Sequence, residues 1–269
     1  MLVDEKTKSL IAIDPGEYLL SKRNIELLTI KNNYKFTHIL TTHYHQDFDE
    51  TPAKLRNAFP GLEIIVGNYG TLQGYSTKKV NEIQPFSIGD LAVCLFYTPG
   101  HTPDSCTFAV THVAPESTKL PVLFTGDTLL MGLVLFFDFF YLVTFYKNRS
   151  CGKVYENSYK QFYQSLEKLK AFPNETLIFP SEDNYMTNLM FIKSLDPKNE
   201  LLNIKIKLAE QSLKSKKSNI PSLLYEEKLT NPYLRCNDKY FKEFVKENDP
   251  VKVFMKLKKA QQMLFPEKN

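Results

Sequence analysis

His43, His45 and Asp47 alternate in Thr42-His43-Tyr44-His45-Gln46-Asp47, directly after the apolar run Phe36-Thr37-His38-Ile39-Leu40-Thr41. In extended backbone, residues two apart point the same way, so these three side chains can converge at the carboxyl end of a strand. Two imidazoles and a carboxylate suit a borderline divalent cation such as zinc or iron. Such a segment by itself is more often a half-exposed histidine pair. Two later segments change the balance. Tyr97-Thr98-Pro99-Gly100-His101-Thr102 ends a second apolar run, and Pro121-Val122-Leu123-Phe124-Thr125-Gly126-Asp127 ends a third. Each sets one ligand-type residue where a buried strand meets a loop, the position α/β proteins use for their sites. The chain has 5 histidines, and the two outside these segments, His38 and His112, read as ordinary strand or loop residues.

The elements that must position these residues follow from the pattern. Residues 10–13 read as a strand ending in the Asp14-Pro15-Gly16 turn. Asp14 is either a group that orients a metal-binding histidine or a plain turn residue. A helix is expected at 21–32, the central strand at 36–41, a helix at 51–58 and a strand at 62–66. Strands around the Gly89-Asp90 turn fill 79–97, and two more are expected at 106–113 and 120–125. A helix at 159–172 stops at Pro173, and a last core strand at 176–179 follows. Beyond Asn188 the periodicity is helical, with helices at 189–195, 200–215, 239–246 and 249–263, the last opening on Asp249-Pro250. Residues 129–143 are almost entirely apolar and approach the length of a membrane span. Asp127 beside the run and Asp138 within it argue against one.

Composition bounds the function. The chain has 269 residues with 43% hydrophobic and 24% charged, ordinary for a globular protein with a sizeable core. The net charge is +4, concentrated at the end: from Asn203 onward Lys and Arg outnumber Asp and Glu by 15 to 8. Such a face either favours an anionic ligand or is a solvated helical surface. No aromatic and basic interleaving of a nucleic-acid module is present. Cys94, Cys106, Cys151 and Cys236 are scattered without a C-x-x-C, which fits reduced thiols. The first nine residues are charged and hold no apolar stretch of a signal peptide.

Taken together these motifs resemble the metallo-β-lactamase superfamily, and within it glyoxalase II, the hydroxyacylglutathione hydrolases. The resemblance rests on Thr42-His43-Tyr44-His45-Gln46-Asp47-Phe48, Gly100-His101-Thr102, Gly126-Asp127-Thr128-Leu129 and Cys151-Gly152-Lys153-Val154-Tyr155-Glu156. It continues in Ser181-Glu182-Asp183-Asn184-Tyr185, Asn188-Leu189-Met190-Phe191 and Asn231-Pro232-Tyr233-Leu234-Arg235, so it covers nearly the whole chain. It implies an α+β protein: a metallo-β-lactamase αββα sandwich followed by an all-helical C-terminal domain. The expected division is a metal-binding domain over 1–187 and a glutathione-binding domain over 188–269. Against the family pattern the N-terminal strand is missing, and an apolar insertion occupies about 130–149.

The resemblance also implies site residues. His43, His45, His101 and Asp127 would hold a first metal. Asp47 and the bridging Asp127 would serve a second, but Phe48 replaces one of its histidines and Glu182 the other. One zinc site, with iron as the alternative, is therefore intact and the second is degraded. Asp47 is either a ligand or the base that orients the attacking water. Lys153, Tyr155 and Lys258 match residues that bind glutathione. Gln261 stands where the family has a second basic residue, and Tyr185 lies beside Asn184, which replaces a tyrosine. The bland alternative for Lys258 is an exposed helix end. The implied activity is hydrolysis of S-D-lactoylglutathione to D-lactate and glutathione by a metal-activated hydroxide. Two rivals stay open: persulfide oxidation at a single iron, and a catalytically inactive paralogue that binds glutathione conjugates. A cytoplasmic monomer without nucleic-acid or membrane partners is expected.

Overall fold

The structure is a computed structural model of the chain, and it describes residues 1–43, 50–69, 77–113, 120–131, 159–181 and 185–264. Two compact units emerge: residues 1–97 with 102–126, and residues 98–101 with 127–269. The division expected at 187/188 falls inside the second unit, within a helix.

The first unit contains a five-stranded sheet in the order of the sequence. β1 (Leu2–Asp4) pairs antiparallel with β2 (Ser9–Ile13). β2, β3 (Lys35–Thr41), β4 (Glu63–Gly67) and β5 (Lys78–Val80) then run parallel. Parallel neighbours need crossovers. Helix α1 (Tyr18–Asn32) joins β2 to β3, and α2 (Glu50–Ala58) lies between β3 and β4. Leu10, Ala12, Phe36, Ile39, Ile64 and Val66 form one core with Ile25 of α1 and Leu55 of α2. Ile11, Leu40 and Ile65 are fully buried as well. Both faces of this sheet are therefore covered, as its near-continuous Val/Ile/Leu runs require.

Four further strands of this unit are antiparallel neighbours: β6 (Phe86–Ile88), β7 (Leu91–Tyr97), β8 (Cys106–His112) and β9 (Val122–Gly126). The β6–β7 turn is fastened to β1. Asp4 Oδ2 accepts from the amide of Asp90 at 3.2 Å and of Thr7 at 3.3 Å, and from the Thr7 hydroxyl. A Cβ at Gly89 would lie 1.9 Å from that oxygen, so only glycine fits the turn. A three-residue strand, β1, thus precedes the strand read at 10–13. Three residues between charged neighbours are too short to display a strand period, which is why β1 escapes a reading by pattern.

The second unit contains α3 (Tyr159–Lys170), β10 (Leu177–Pro180), α4 (Tyr185–Leu195), α5 (Glu200–Lys214), β11 (Ser222–Leu223), α6 (Leu224–Thr230), α7 (Lys239–Val245) and α8 (Pro250–Leu264). A 3₁₀ turn, Pro232–Arg235, separates α6 from α7. The C-terminal region is helical as expected, apart from the two-residue β11, which pairs antiparallel with β10. A two-residue strand carries no periodicity of its own.

Phe254 of α8 anchors this unit's core, with the rings of Tyr233 at 5.2 Å, Phe162 at 5.5 Å and Tyr163 at 6.2 Å. A buried ion pair braces α5 against β11 and α6. Lys205 Nζ donates to Glu227 Oε1 at 2.9 Å and to Ser222 Oγ at 3.4 Å, and the Ser222 hydroxyl donates to the same carboxylate at 2.8 Å. Burial alone would lower the lysine pKa, but Glu227, Tyr185 and Glu226 together outweigh it and the pKa is raised.

Among the described residues, no helix is long and apolar enough to cross a membrane. Leu129, Leu130 and Met131, at the start of the apolar run, are buried. The remainder of the expected insertion lies outside the described residues.

Candidate metal centre

β3 has a parallel partner on each side, and Thr42 and His43 follow its carboxyl end. The preceding strand delivers Asp14 to the same end in the left-handed region, with φ of 43°, which aspartate tolerates better than most residues. Asp14 Oδ1 accepts from the Thr42 amide at 2.8 Å, and Oδ2 accepts from the Thr42 hydroxyl at 2.7 Å. Thr42 Oγ1 lies 2.8 Å from His43 Nδ1. Asp14 thus holds Thr42, which in turn lies against His43. Thr42 is also gripped from β8: its carbonyl accepts from the Cys106 amide at 2.8 Å and from the thiol at 3.1 Å. Burial pushes that thiol well above the usual cysteine range, so it serves packing rather than reaction.

β9 ends against the same pair. Gly126 has φ of 53°, and a Cβ there would meet Thr42 Oγ1 at 2.4 Å and His43 Nδ1 at 3.4 Å. Both constraints demand glycine. Asp127 is bonded directly to Gly126 and so emerges at this point of the fold.

His101 reaches the site on a loop shaped by its glycine. At Gly100 φ is 140°, and a Cβ would lie 2.4 Å from Phe162 of α3. The Ser165 hydroxyl of α3 donates to the Pro99 carbonyl at 2.7 Å, and Thr128 Oγ1 donates to the Thr98 carbonyl at 2.9 Å. His101 Nε2 comes to 3.4 Å from Asp127 Oδ2, and both side chains are buried. The ligand atoms offered by His43, His101 and Asp127 all lie within 4.8 Å of one another. Two nitrogens and one carboxylate oxygen, with His101 and Asp127 buried and His43 half-buried, suit a zinc-like divalent ion in donor type and spacing, so the residues present fit a metal.

Of the sequence-predicted site residues, the structure brings together His43, His101 and Asp127. His45, Asp47, Phe48, Lys153, Tyr155, Glu182 and Asn184 lie outside the described residues. His38 sits within β3, with Nε2 3.3 Å from Glu63 of β4. Burial lowers its pKa, against the pull of that carboxylate. It is the ordinary strand histidine expected. Lys258 is not an exposed helix end. Its side chain is 3% exposed, and Nζ lies 4.8 Å from the ring centre of Tyr233 and 5.3 Å from that of Phe162. Gln261, one turn on, is also buried, and its Oε1 accepts from the Tyr233 hydroxyl. Tyr185 opens α4 with its ring 5.6 Å from Lys205 Nζ, and burial pushes its hydroxyl up to about 12.

Thr42 and Gly126 matter to the site but carry no ligand chemistry. The signal for the glycine was its place between a strand and Asp127. The role of Thr42 depends on a partner 28 residues away, which no local pattern shows.

Residues 183–263 match the family described as the C-terminus of hydroxyacylglutathione hydrolase. The chain is 29% identical over 245 residues to the hydroxyacylglutathione hydrolase of Prochlorococcus marinus (strain MIT 9312), covering 91% of this chain and 89% of that one. It is 28% identical over 253 residues to that of Dictyostelium discoideum, covering 92% and 86%. Among solved structures, a metallo-β-lactamase from Staphylococcus aureus subsp. aureus COL superimposes with a TM-score of 0.61 at 22% identity, covering 95% of this chain and 61% of that one. ETHE1 from Myxococcus xanthus gives a TM-score of 0.55 at 22% identity, covering 86% and 76%. The fold is that of the metallo-β-lactamases.

Proposed function

We propose that this chain, which belongs with the hydroxyacylglutathione hydrolases (glyoxalase II) on the metallo-β-lactamase fold, hydrolyses glutathione thioesters, with S-D-lactoylglutathione as the substrate to test first. The carrying observation is the cluster of His43, His101 and Asp127 at strand ends, in a chain related over nine-tenths of its length to such hydrolases. His43, His45, His101 and Asp127 are assigned to hold one zinc, with iron as the alternative. A bound ion of this kind supplies Lewis acidity and a water that ionises near neutral pH.

The protein's own groups do the rest. Asp127 and His101 fix each other at the loop ends, so the cluster is organised before substrate arrives. Asp47 is assigned to orient the attacking water and accept its proton, a role open to a carboxylate beside the site. Lys153, Tyr155 and Lys258 are assigned to the glutathione moiety. The Lys258 ammonium, buried among aromatic rings, is a positive charge in a poorly solvated place, where a substrate carboxylate is a favourable partner. Phe48 cannot ligate, and this is the reason for assigning one full metal site instead of two.

The protein is proposed to act as a monomer without nucleic-acid or membrane partners. The free thiols Cys94, Cys106 and Cys236 fit the cytoplasm. Persulfide oxidation at one iron stays the rival, because the likeness to ETHE1 is one of fold, whereas the C-terminal match favours thioester hydrolysis. The test is turnover by the purified full chain. Hydrolysis of S-D-lactoylglutathione that is lost in Asp47→Asn supports the reading. Oxygen uptake with glutathione persulfide and no hydrolysis selects the rival. Neither activity, with glutathione conjugates still bound, leaves the inactive paralogue.

A further inference from the structure

The direction of the hydrogen bonds at the end of β3 has a chemical consequence for His43. As a carboxylate, Asp14 only accepts. Its two oxygens take the Thr42 amide at 2.8 Å and the Thr42 hydroxyl at 2.7 Å. The hydroxyl has one proton, and that proton points at Asp14. Toward His43 Nδ1, 2.8 Å away, Thr42 Oγ1 can then only accept. Nδ1 must carry the imidazole proton, and the lone pair of the neutral ring falls on Nε2.

The arrangement is held rigidly. Thr42 is buried, its carbonyl is bound from Cys106, and the absence of a Cβ at Gly126 leaves room for its hydroxyl. Asp14 is itself fixed by its amide, which donates to the Leu40 carbonyl at 3.0 Å. It occupies the left-handed region that a non-glycine residue enters at a cost.

We infer that Asp14 is a positioning residue that acts through Thr42 to set the tautomer of His43, so that Nε2 is presented as the metal-binding nitrogen. The inference rests on the reading of His43 as a ligand, but its main test does not need a metal. Asp14→Asn keeps the shape and reverses the polarity. The amide NH₂ would donate to Thr42 Oγ1, freeing the hydroxyl proton to turn toward His43 Nδ1. The lone pair would then be fixed on the wrong nitrogen.

The experiment is nitrogen NMR of the full chain labelled at histidine, as purified and after metal removal, with the His43 signals identified by a His43→Gln variant. In the metal-free protein His43 is expected with Nδ1 protonated and Nε2 bare. Asp14→Asn is expected to shift it toward protonated Nε2, and Thr42→Val to release the preference. Thr42→Ser, which keeps the hydroxyl, is expected to restore it. Zinc affinity by chelator competition is expected to fall about 10–100-fold in Asp14→Asn and Thr42→Val, and to return in Thr42→Ser. A wild-type His43 protonated on Nε2, or a tautomer unchanged by Asp14→Asn, overturns the inference. Wild-type zinc affinity in His43→Ala would instead overturn the ligand assignment, a failure the tautomer measurement tells apart.

Discussion

Gly126→Ala tests the close approach on which the site is built. Two effects add. The backbone sits at φ of 53°, where a residue with a Cβ costs roughly 1–2 kcal/mol. The new methyl would also lie 2.4 Å from Thr42 Oγ1 and 2.9 Å from Thr42 Cβ. Neither neighbour is the far end of a flexible chain, so Thr42 or the β9 end must move, at about 1–3 kcal/mol for overpacking of this kind. The expected loss is therefore about 2–5 kcal/mol. Gly61→Ala is the control: φ is 85° there, and nothing lies within 4 Å of the added carbon. It should cost the backbone part alone. The assay is urea unfolding of both full-length variants followed by far-ultraviolet circular dichroism, comparing midpoints at unchanged slope. Gly126→Ala no less stable than Gly61→Ala would refute the crowding argument.

Other outcomes follow from the same structure. Glu227→Gln leaves the Lys205 ammonium buried without its main anion and is expected to cost about 3 kcal/mol, the lower end for breaking a buried pair. The end is the lower one because Glu226 Oε2, 3.3 Å away, remains. Adding Lys205→Met should recover most of the loss in a double-mutant cycle, and simple additivity would contradict the pairing. At Asp4, burial pushes the carboxyl pKa up, but the Thr7 hydroxyl and the amides of Asp90, Thr7 and Lys6 outweigh it and hold it below its ordinary value. A carboxyl lower in the folded than in the unfolded chain contributes stability that is complete above the unfolded value of about 3.9 and is lost as pH falls through the folded one. Asp4→Asn should flatten the urea midpoint below about pH 4, and an unchanged acid slope would contradict this. Lys258→Ala is expected to raise KM for the glutathione thioester more than it lowers kcat; an unaltered KM would remove Lys258 from the substrate site.

The residues that the structure clusters were legible as candidates because each follows an apolar strand and each strand end is marked by a turn residue. His43, His101 and Asp127 could therefore be singled out from local pattern. What joins them was not legible. Asp14 meets Thr42 only because β2 and β3 run parallel as neighbours, and the partners stand 28 residues apart. β1 and β11 escaped because strands of three and two residues have no period to detect. The burial of Lys258 could have been read. Phe254, Leu257 and Gln261 mark one helical stripe, and Lys258 stands one turn after Phe254 on it. Its charge suggested the surface and masked the spacing.

The most direct test of the metal centre is elemental analysis of the purified full chain beside His101→Ala, with S-D-lactoylglutathione turnover measured on the same samples. About one zinc or iron per chain, lost together with turnover in the variant, is the expected result given one intact site. Equal metal content in the two proteins, or turnover that persists without metal, would contradict the assignment of His43, His101 and Asp127 as the metal centre of a hydrolase.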